Sequence, residues 1–350
     1  MQNAFLPNML RLLPFLAVGL AGALTFAALG VPAAYLSGAM VPVAMLAVGT
    51  KWGPRPPDAL LTTLFTFMGL SMGAGVTPDV VERAHTWPAS LALLLVSLFA
   101  ITGSVFVFLV RAARWDRHSA YFASIPGALS YVLATMQGLR GDATKVVQSQ
   151  SVRVFLLIAI LPTMIVTLGT AHGHVPPASH PETTDFLIML AGGILGAALA
   201  IRSGFPGGAL VGSFLASAIL HATGIVEGRP PQELIDIGFV VLGTVIGLRF
   251  RDTTPRQIAA NFAASIGAFA VSISVAAALA VLAAQALSIS FGQAMIAFAP
   301  GGLEAMVMLA FMLDLDPAYV ALHQLGRFFV MILLVPVFAR LLLGPGWRAP

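Results

Sequence analysis

Apolar residues run along this chain in long unbroken blocks, with no period-two alternation and few polar interruptions. Twelve blocks occupy roughly 11–29, 31–50, 58–76, 88–110, 119–139, 146–170, 185–201, 205–224, 232–248, 258–285, 289–313 and 317–343. A helix needs about 20 apolar residues to cross ~30 Å of hydrocarbon, and most of these blocks approach that length. The short alternating segments of an outer-membrane barrel are absent. The predicted class is therefore an all-α polytopic membrane protein. Leu12–Leu29 reads as a retained first span, because no Ala-x-Ala cleavage signal follows it.

The blocks repeat. At an offset of 174, Gly19 meets Gly193, Gly22 meets Gly196, Gly38 meets Gly212, Gly69 meets Gly243 and Gly73 meets Gly247. Residues 120–165 align with 294–339 without a gap, and 13 of 46 positions are identical. These include Pro126/Pro300, Gly127/Gly301, Asp142/Asp316, Gln150/Gln324, Arg153/Arg327 and Pro162/Pro336. Ala and Leu would match by composition alone; matched Arg, Gln, Asp and Pro at one offset would not. The expected organisation is a first membrane repeat at 10–170, a linker at 171–184 and a second membrane repeat at 185–345.

Composition supports the membrane and narrows the chemistry. Of 350 residues 58% are hydrophobic and 9% charged, against about 25% charged in soluble domains. Without cysteine there is no disulfide framework, thiolate nucleophile or Cys-based metal site. The excess of four basic residues sits in short loops, so it is no sign of nucleic-acid binding. It does report topology. If all twelve blocks cross, Lys and Arg divide almost evenly between the two sides. If blocks five and eleven dip in and return, fourteen fall on the cytoplasmic side and only Arg83 and Arg229 outside. Each half then has five crossings plus one Pro-Gly re-entrant or broken helix. Five is odd, so the two repeats are expected to be inverted, the architecture of secondary transporters.

The chemistry-bearing positions cluster at those interruptions. The first is Ser124-Ile125-Pro126-Gly127-Ala128-Leu129-Ser130, and its mate is Phe298-Ala299-Pro300-Gly301-Gly302-Leu303-Glu304. Proline frees an upstream carbonyl, and glycine lets a ligand approach the backbone. A half-helix starting there presents free N–H groups to an anion; a kinked but unbroken helix is the plainer alternative. Arg153 and Arg327 lie inside apolar spans, where each costs roughly 2.5–3.5 kcal/mol on insertion scales. Gln150 and Gln324 precede them by three, and Ser149 and His323 by four, giving each helix a polar stripe. Three roles fit the guanidiniums: clamping an anionic substrate, binding freed backbone carbonyls, or pairing with Glu304. Glu304 has no acidic counterpart, since Ser130 holds that place. It is a coupling site for protons or a cation, or simply an acid favoured in a helix's first turn. His323 titrates near neutrality if accessible and otherwise packs as a hydrogen-bonded residue.

Other features carry less. His172, His174 and His180 lie in the Pro-rich linker, where a solvated loop explains them better than a metal site. Gly192-Gly193-x-x-Gly196 reads as helix packing. No Gly-x-x-x-x-Gly-Lys, Ser-His-Asp or paired-carboxylate pattern appears, so neither ATP-driven transport nor catalysis is expected, and no cofactor or metal is assigned.

The duplicated Pro-Gly-(Gly/Ala)-Leu-(Glu/Ser), followed by Asp, Gln-x-x-Arg and a late Pro, resembles the AbrB membrane family over about 10–345. Ala299-Pro300-Gly301-Gly302-Leu303-Glu304 and His323-Gln324-x-x-Arg327 carry the likeness most specifically; in the first copy Ala128 and Ser130 depart from it. Members also bear the labels ammonia monooxygenase and regulator of AidB expression. His221 and His323, far apart, do not make a copper site, and no DNA-reading module is present. The resemblance implies a wider likeness to inverted-repeat antiporters and symporters. The expectation is a bacterial inner-membrane, multi-pass secondary transporter with a cytoplasmic N-terminus. It would move a small organic anion, with Ser124, Pro126, Gly127, Ser130, Gln150, Arg153, Pro300, Gly301, Gly302, Gln324 and Arg327 at the substrate site. Glu304 and His323 would couple movement to protons or a cation. A sensor acting indirectly on gene expression and an amine or cation transporter are the alternatives. The expected partners are the lipid bilayer, a small solute and, by analogy, a second copy of the chain; nucleic acid is not among them.

Overall fold

The computed structural model describes residues 5–50, 52–76, 78, 82, 87–127, 129–136, 139–168, 181–205, 207–251 and 254–344. Among them the elements are helical throughout. The first half contributes α1 (Phe5–Ala28), α2 (Ala34–Thr50), α3 (Asp58–Gly73), α4 (Trp87–Arg111), α5 (Arg117–Ser124), α6 (Leu129–Met136) and α7 (Ala143–Thr167). The second contributes α8 (Thr183–Arg202), α9 (Gly208–Ala222), α10 (Gln232–Gly247), α11 (Pro255–Leu287), α12 (Phe291–Phe298), α13 (Leu303–Met312) and α14 (Pro317–Leu343), with one 3₁₀ turn at Leu248–Phe250. At the offset of 174, α3 overlies α10 and α5 overlies α12 residue for residue. The linker histidines 172, 174 and 180 lie outside the described residues.

Six helices are long and apolar enough to cross a membrane: α1 from Met9, α4, α7, α8, α11 from Ala259, and α14. Their flanks carry large apolar side chains in the open. Leu20 and Ile194, equivalent by the repeat, are 48% and 55% exposed. Lipid, not water, is the solvent such side chains fit. The helix ends follow local chemistry. Asp142 accepts from the Thr144 and Lys145 amides at the start of α7, and Asp316 from the Ala318 amide at the start of α14. The matched aspartates are thus matched N-caps.

The chain folds into two compact units, and these are not the two sequence repeats. One comprises Met1–His85, Ile158–Thr254 and Val307–Ala318; the other comprises Thr86–Leu157, Pro255–Met306 and Tyr319–Pro350. Each draws from both halves. The first unit closes on glycine. A Cβ on Gly22 would stand 2.2 Å from the Gly38 carbonyl oxygen, and one on Gly196 2.3 Å from that of Gly212. Likewise Gly69 and Gly73 of α3 meet the Leu210 and Phe214 carbonyls of α9, while Gly243 and Gly247 of α10 meet Leu36 and Met40 of α2. So α3 packs on the other half's α9, and α10 on the first half's α2. Removing side chains brings backbones into van der Waals contact, which is how helices associate in lipid without a hydrophobic drive.

In the second unit, the first interrupted segment is a hairpin. The Asp142 amide donates to the Ser119 hydroxyl at 2.7 Å, joining the residue before α7 to the first turn of α5. Lys145 stands 5.7 Å from the Trp115 ring centroid at the same place. Each eight-residue half-helix is about 12 Å long, so a continuous crossing would have separated Ser119 from Asp142.

Candidate functional site

Both Pro-Gly interruptions lie in the second unit, and each exposes backbone carbonyls by simple subtraction. A helix carbonyl is normally taken by the amide four residues on. Pro126 has no N–H to give Phe122, and Pro300 none to give Ile296. Two glutamines fill these places: Gln150 Nε2 donates to the Phe122 carbonyl at 3.1 Å, and Gln324 Nε2 to that of Ile296 at 3.0 Å. The arginines take the next ones. Arg153 donates to Ala123 at 3.4 Å and Ile125 at 3.0 Å; Arg327 donates to Ala299 and Gly301, each at 2.5 Å, and to the Gln324 side-chain oxygen. Donor and acceptor are 28 residues apart in four of these bonds, two from each half. The Gln-x-x-Arg stripe is therefore a cap for a broken helix, supplied from the following helix.

The two tips face one another. Gly127 adopts φ +78°, the left-handed region that glycine tolerates, and a Cβ there would lie 3.4 Å from the Gly301 oxygen and 3.5 Å from an Arg327 nitrogen. Gly301 turns differently, its amide closing back on the Ala299 carbonyl at 2.8 Å, and a Cβ there would strike Met306. Pro126 and Pro300 are buried, Gly302 is half-buried, and the buried Ser124 hydroxyl returns to its own helix at the Tyr121 carbonyl, 2.7 Å away. Ser130 occupies the first turn of α6, and its side chain is outside the described residues.

Of the three roles open to the arginines, carbonyl binding is realised for both. The Glu304 pairing is not: among the described residues neither guanidinium meets a carboxylate. Arg153 and Arg327 are 4% and 3% exposed, and Arg153 keeps a buried Nε–H with no partner. Two buried guanidiniums thus share one site, with one N–H of Arg153 left over and no carboxylate partner among the described residues. Glu304 stands in the first turn of α13, half-buried, its carboxylate 3.5 Å from the position a Gly302 Cβ would take. His323 is fully buried, with Nδ1 on the Tyr319 carbonyl at 2.7 Å, Nε2 on the Ser90 hydroxyl at 2.8 Å, and the Tyr319 ring centroid 4.0 Å away. Both ring nitrogens are engaged within the packing.

Sequence reasoning passed over two tyrosines. Pro336 lies inside the continuous α14 and leaves the carbonyl of Ile332 without its usual amide. Tyr131 donates to that carbonyl at 3.3 Å, and Tyr121 to the Val335 carbonyl at 2.5 Å. A tyrosine in an apolar span needs an acceptor, and a helix proline supplies one for Tyr131; for Tyr121 the sequence held no such signal.

The profile of the family described as "Transition state regulatory protein AbrB" matches residues 63–343, covering both Pro-Gly breaks and both Gln-x-x-Arg stripes. The chain belongs to the AbrB family. Among relatives of this AbrB-family chain, the Bacillus subtilis (strain 168) protein named "Uncharacterized protein YhjN" is 26% identical, over 96% of this chain and 94% of its own length. The Escherichia coli (strain K12) protein named "Putative regulator AbrB" is 27% identical, over 90% of this chain and 91% of its own.

Proposed function

We propose that this AbrB-family protein is a secondary transporter of a small organic anion, driven by protons or a cation, in the bacterial inner membrane with its N-terminus cytoplasmic. One observation carries the reading: two buried guanidiniums, fixed by backbone carbonyls at two facing helix breaks, have no carboxylate partner among the described residues. An uncompensated buried charge is costly, and an anion entering between the tips offsets it. The carbonyl bonds pre-orient the guanidiniums, so little side-chain entropy is lost when the anion arrives. Glu304, beside the second tip, is the coupling group. The reading assigns the chain no catalysis.

The hairpin at α5 and α6 supports five crossings in the first half and hence inverted repeats. The chain has no cysteine, so single cysteines replacing Arg55 and Glu227 report sidedness cleanly. They are expected to label from opposite sides of the membrane.

The deciding experiment is uptake into proteoliposomes, with a panel of small carboxylates and an imposed pH or Na⁺ gradient. Arg153→Lys and Arg327→Lys should each cut carboxylate uptake at least tenfold while folded protein is retained. Full uptake in both variants removes the arginines from the site. Binding without counterflow would instead favour a sensor, the role suggested by the name of the E. coli relative.

A further inference from the structure

The first compact unit contains a cavity of about 380 Å³ where α2 and α10 begin and α13 ends. Its lining carries one guanidinium and two carboxylates. Arg229 enters from the loop before α10, half-buried, its guanidinium 5.8 Å from the Phe311 ring centroid. No hydrogen bond engages that guanidinium among the described residues; burial works against its charge and the nearby Asp314 carboxylate favours it. Asp314 lines the cavity from the turn after α13, where it holds φ +52°, a conformation that costs a non-glycine residue and positions the carboxylate just beyond the helix end. Asp236 lines it from α10, with one oxygen spent on the Gln232 amide at 2.9 Å.

The backbone adds to these groups. The first turns of α2 and α10 present positive dipole ends and amides without intrahelical acceptors; the last turn of α13 presents a negative one. Phe239 and Phe311 supply apolar wall between them. The cavity thus brings together one guanidinium, two carboxylates and helix-end donors and acceptors, with Arg229 and Asp314 near enough to attract one another. The duplication does not repeat this: Arg55, Thr62 and Arg140 stand where Arg229, Asp236 and Asp314 stand here.

We propose that this cavity is a binding site for a small zwitterion bearing a carboxylate and a primary ammonium, its carboxylate on Arg229 and its ammonium on Asp314 and Asp236. A guanidinium held over a ring and free of protein acceptors offers two parallel N–H donors to a carboxylate. Single-charge solutes satisfy one wall and leave the other unmatched, so the site discriminates by requiring both groups. The site is separate from the paired arginines 153 and 327, and all its lining residues belong to the first unit.

The test is isothermal titration of the purified full-length protein with glycine and 4-aminobutyrate, against acetate and ethylammonium as single-charge controls. At least one zwitterion should bind ten times more tightly than either control. Arg229→Gln and Asp314→Asn should each weaken it at least tenfold, with elution volume and thermal midpoint unchanged. Should either variant misfold, Arg229→Lys and Gln232→Ala, the latter at an exposed position, provide the readout: both should fold, and Arg229→Lys should weaken binding by losing the paired donors. Acetate or ethylammonium binding as tightly as the zwitterions, or no binding by any probe to folded protein, overturns the proposal. Arg327→Lys should leave this binding intact, so failure here and failure of the transport reading are distinguished.

Discussion

The two compact units solve the same problem, holding helices together in lipid, by opposite means. In the first, glycines at 22, 69, 73, 196, 243 and 247 remove side chains until backbone meets backbone. In the second, arginine and glutamine side chains and Tyr131 reach across to backbone carbonyls at proline interruptions, and Tyr121 to the carbonyl of Val335. The first solution is tightly fitted and mostly apolar, with the Ser217 hydroxyl donating to the Leu70 carbonyl across α9 and α3 and the buried Thr244 hydroxyl beside Gly19 left unpaired. The second imports polar groups at a cost, and ends with charge to spare. A seam of glycines suits a rigid frame; a set of replaceable hydrogen bonds suits a part that must bind something and rearrange. Where helices touch through glycine the contact serves as frame, and where they touch through surplus donors it can also serve as site.

That contrast can be broken from either side. The largest effect is expected in the seam: Gly69→Leu or Gly243→Leu would drive a side chain into a carbonyl 2.2 or 2.4 Å from its Cβ. Each should cost about 3 kcal/mol, the upper range for over-packing, and be seen as lost folded protein in detergent. Gly49→Leu and Gly103→Leu, with open space around both, should leave the thermal midpoint unchanged. Next come the arginines. Arg327→Ala strands two carbonyls in the interior, at about 1–3 kcal/mol each, and should lower the midpoint more than Arg153→Ala, whose bonds are longer. Equal loss on both sides would erase the difference between the copies.

A finer test separates capping from binding. Gln324→Leu should cost about 1 kcal/mol by stranding the Ile296 carbonyl. Pro300→Ala restores a backbone N–H that can take that carbonyl, so the double variant should regain the stability yet lose uptake as the break heals. A double-mutant cycle in thermal unfolding measures the coupling, and additive losses would refute the capping role. The smallest effect lies at the hairpin's mouth. Burial works to raise the Asp116 carboxyl, but the Ser119 amide and hydroxyl and the Lys145 charge outweigh it and hold it below the ordinary carboxylate range. A folded value below the unfolded one adds stability above the unfolded value and loses it as pH falls through the folded one. Asp116→Ala should therefore cost about 1 kcal/mol at neutral pH and nothing in strong acid, followed by unfolding across pH.

Much of this was legible in the chain. The helix positions follow from apolar run length, and the breaks from Pro126-Gly127 and Pro300-Gly301, because both are local effects. The return of the first break was visible indirectly, in which loops carry Arg and Lys. The Ser119–Asp142 bond that shows it is not local. The role of Arg153 and Arg327 stayed open among three readings, since sequence lists donors without their acceptors. Matched glycines marked the duplication but could not say that α3 would meet α9 rather than its own neighbour in the chain. The interleaving of the halves into two units is invisible for the same reason. Arg229 and Asp314 drew no attention as a pair, because 85 residues separate them and only the fold closes that distance.

The direction of the capping bonds has a consequence for how the protein is made. In each half the broken segment leaves the ribosome first, and its Gln and Arg follow 28 residues later. At 5–20 residues per second that is roughly 1–6 s of synthesis. During that interval the broken segment has carbonyls to which no lipid tail can donate, and water or the insertion machinery must satisfy them until α7 or α14 arrives. The nascent chain is therefore released into the bilayer as hairpin and following helix together, and a pause in translation between the two would be felt as a failure of insertion.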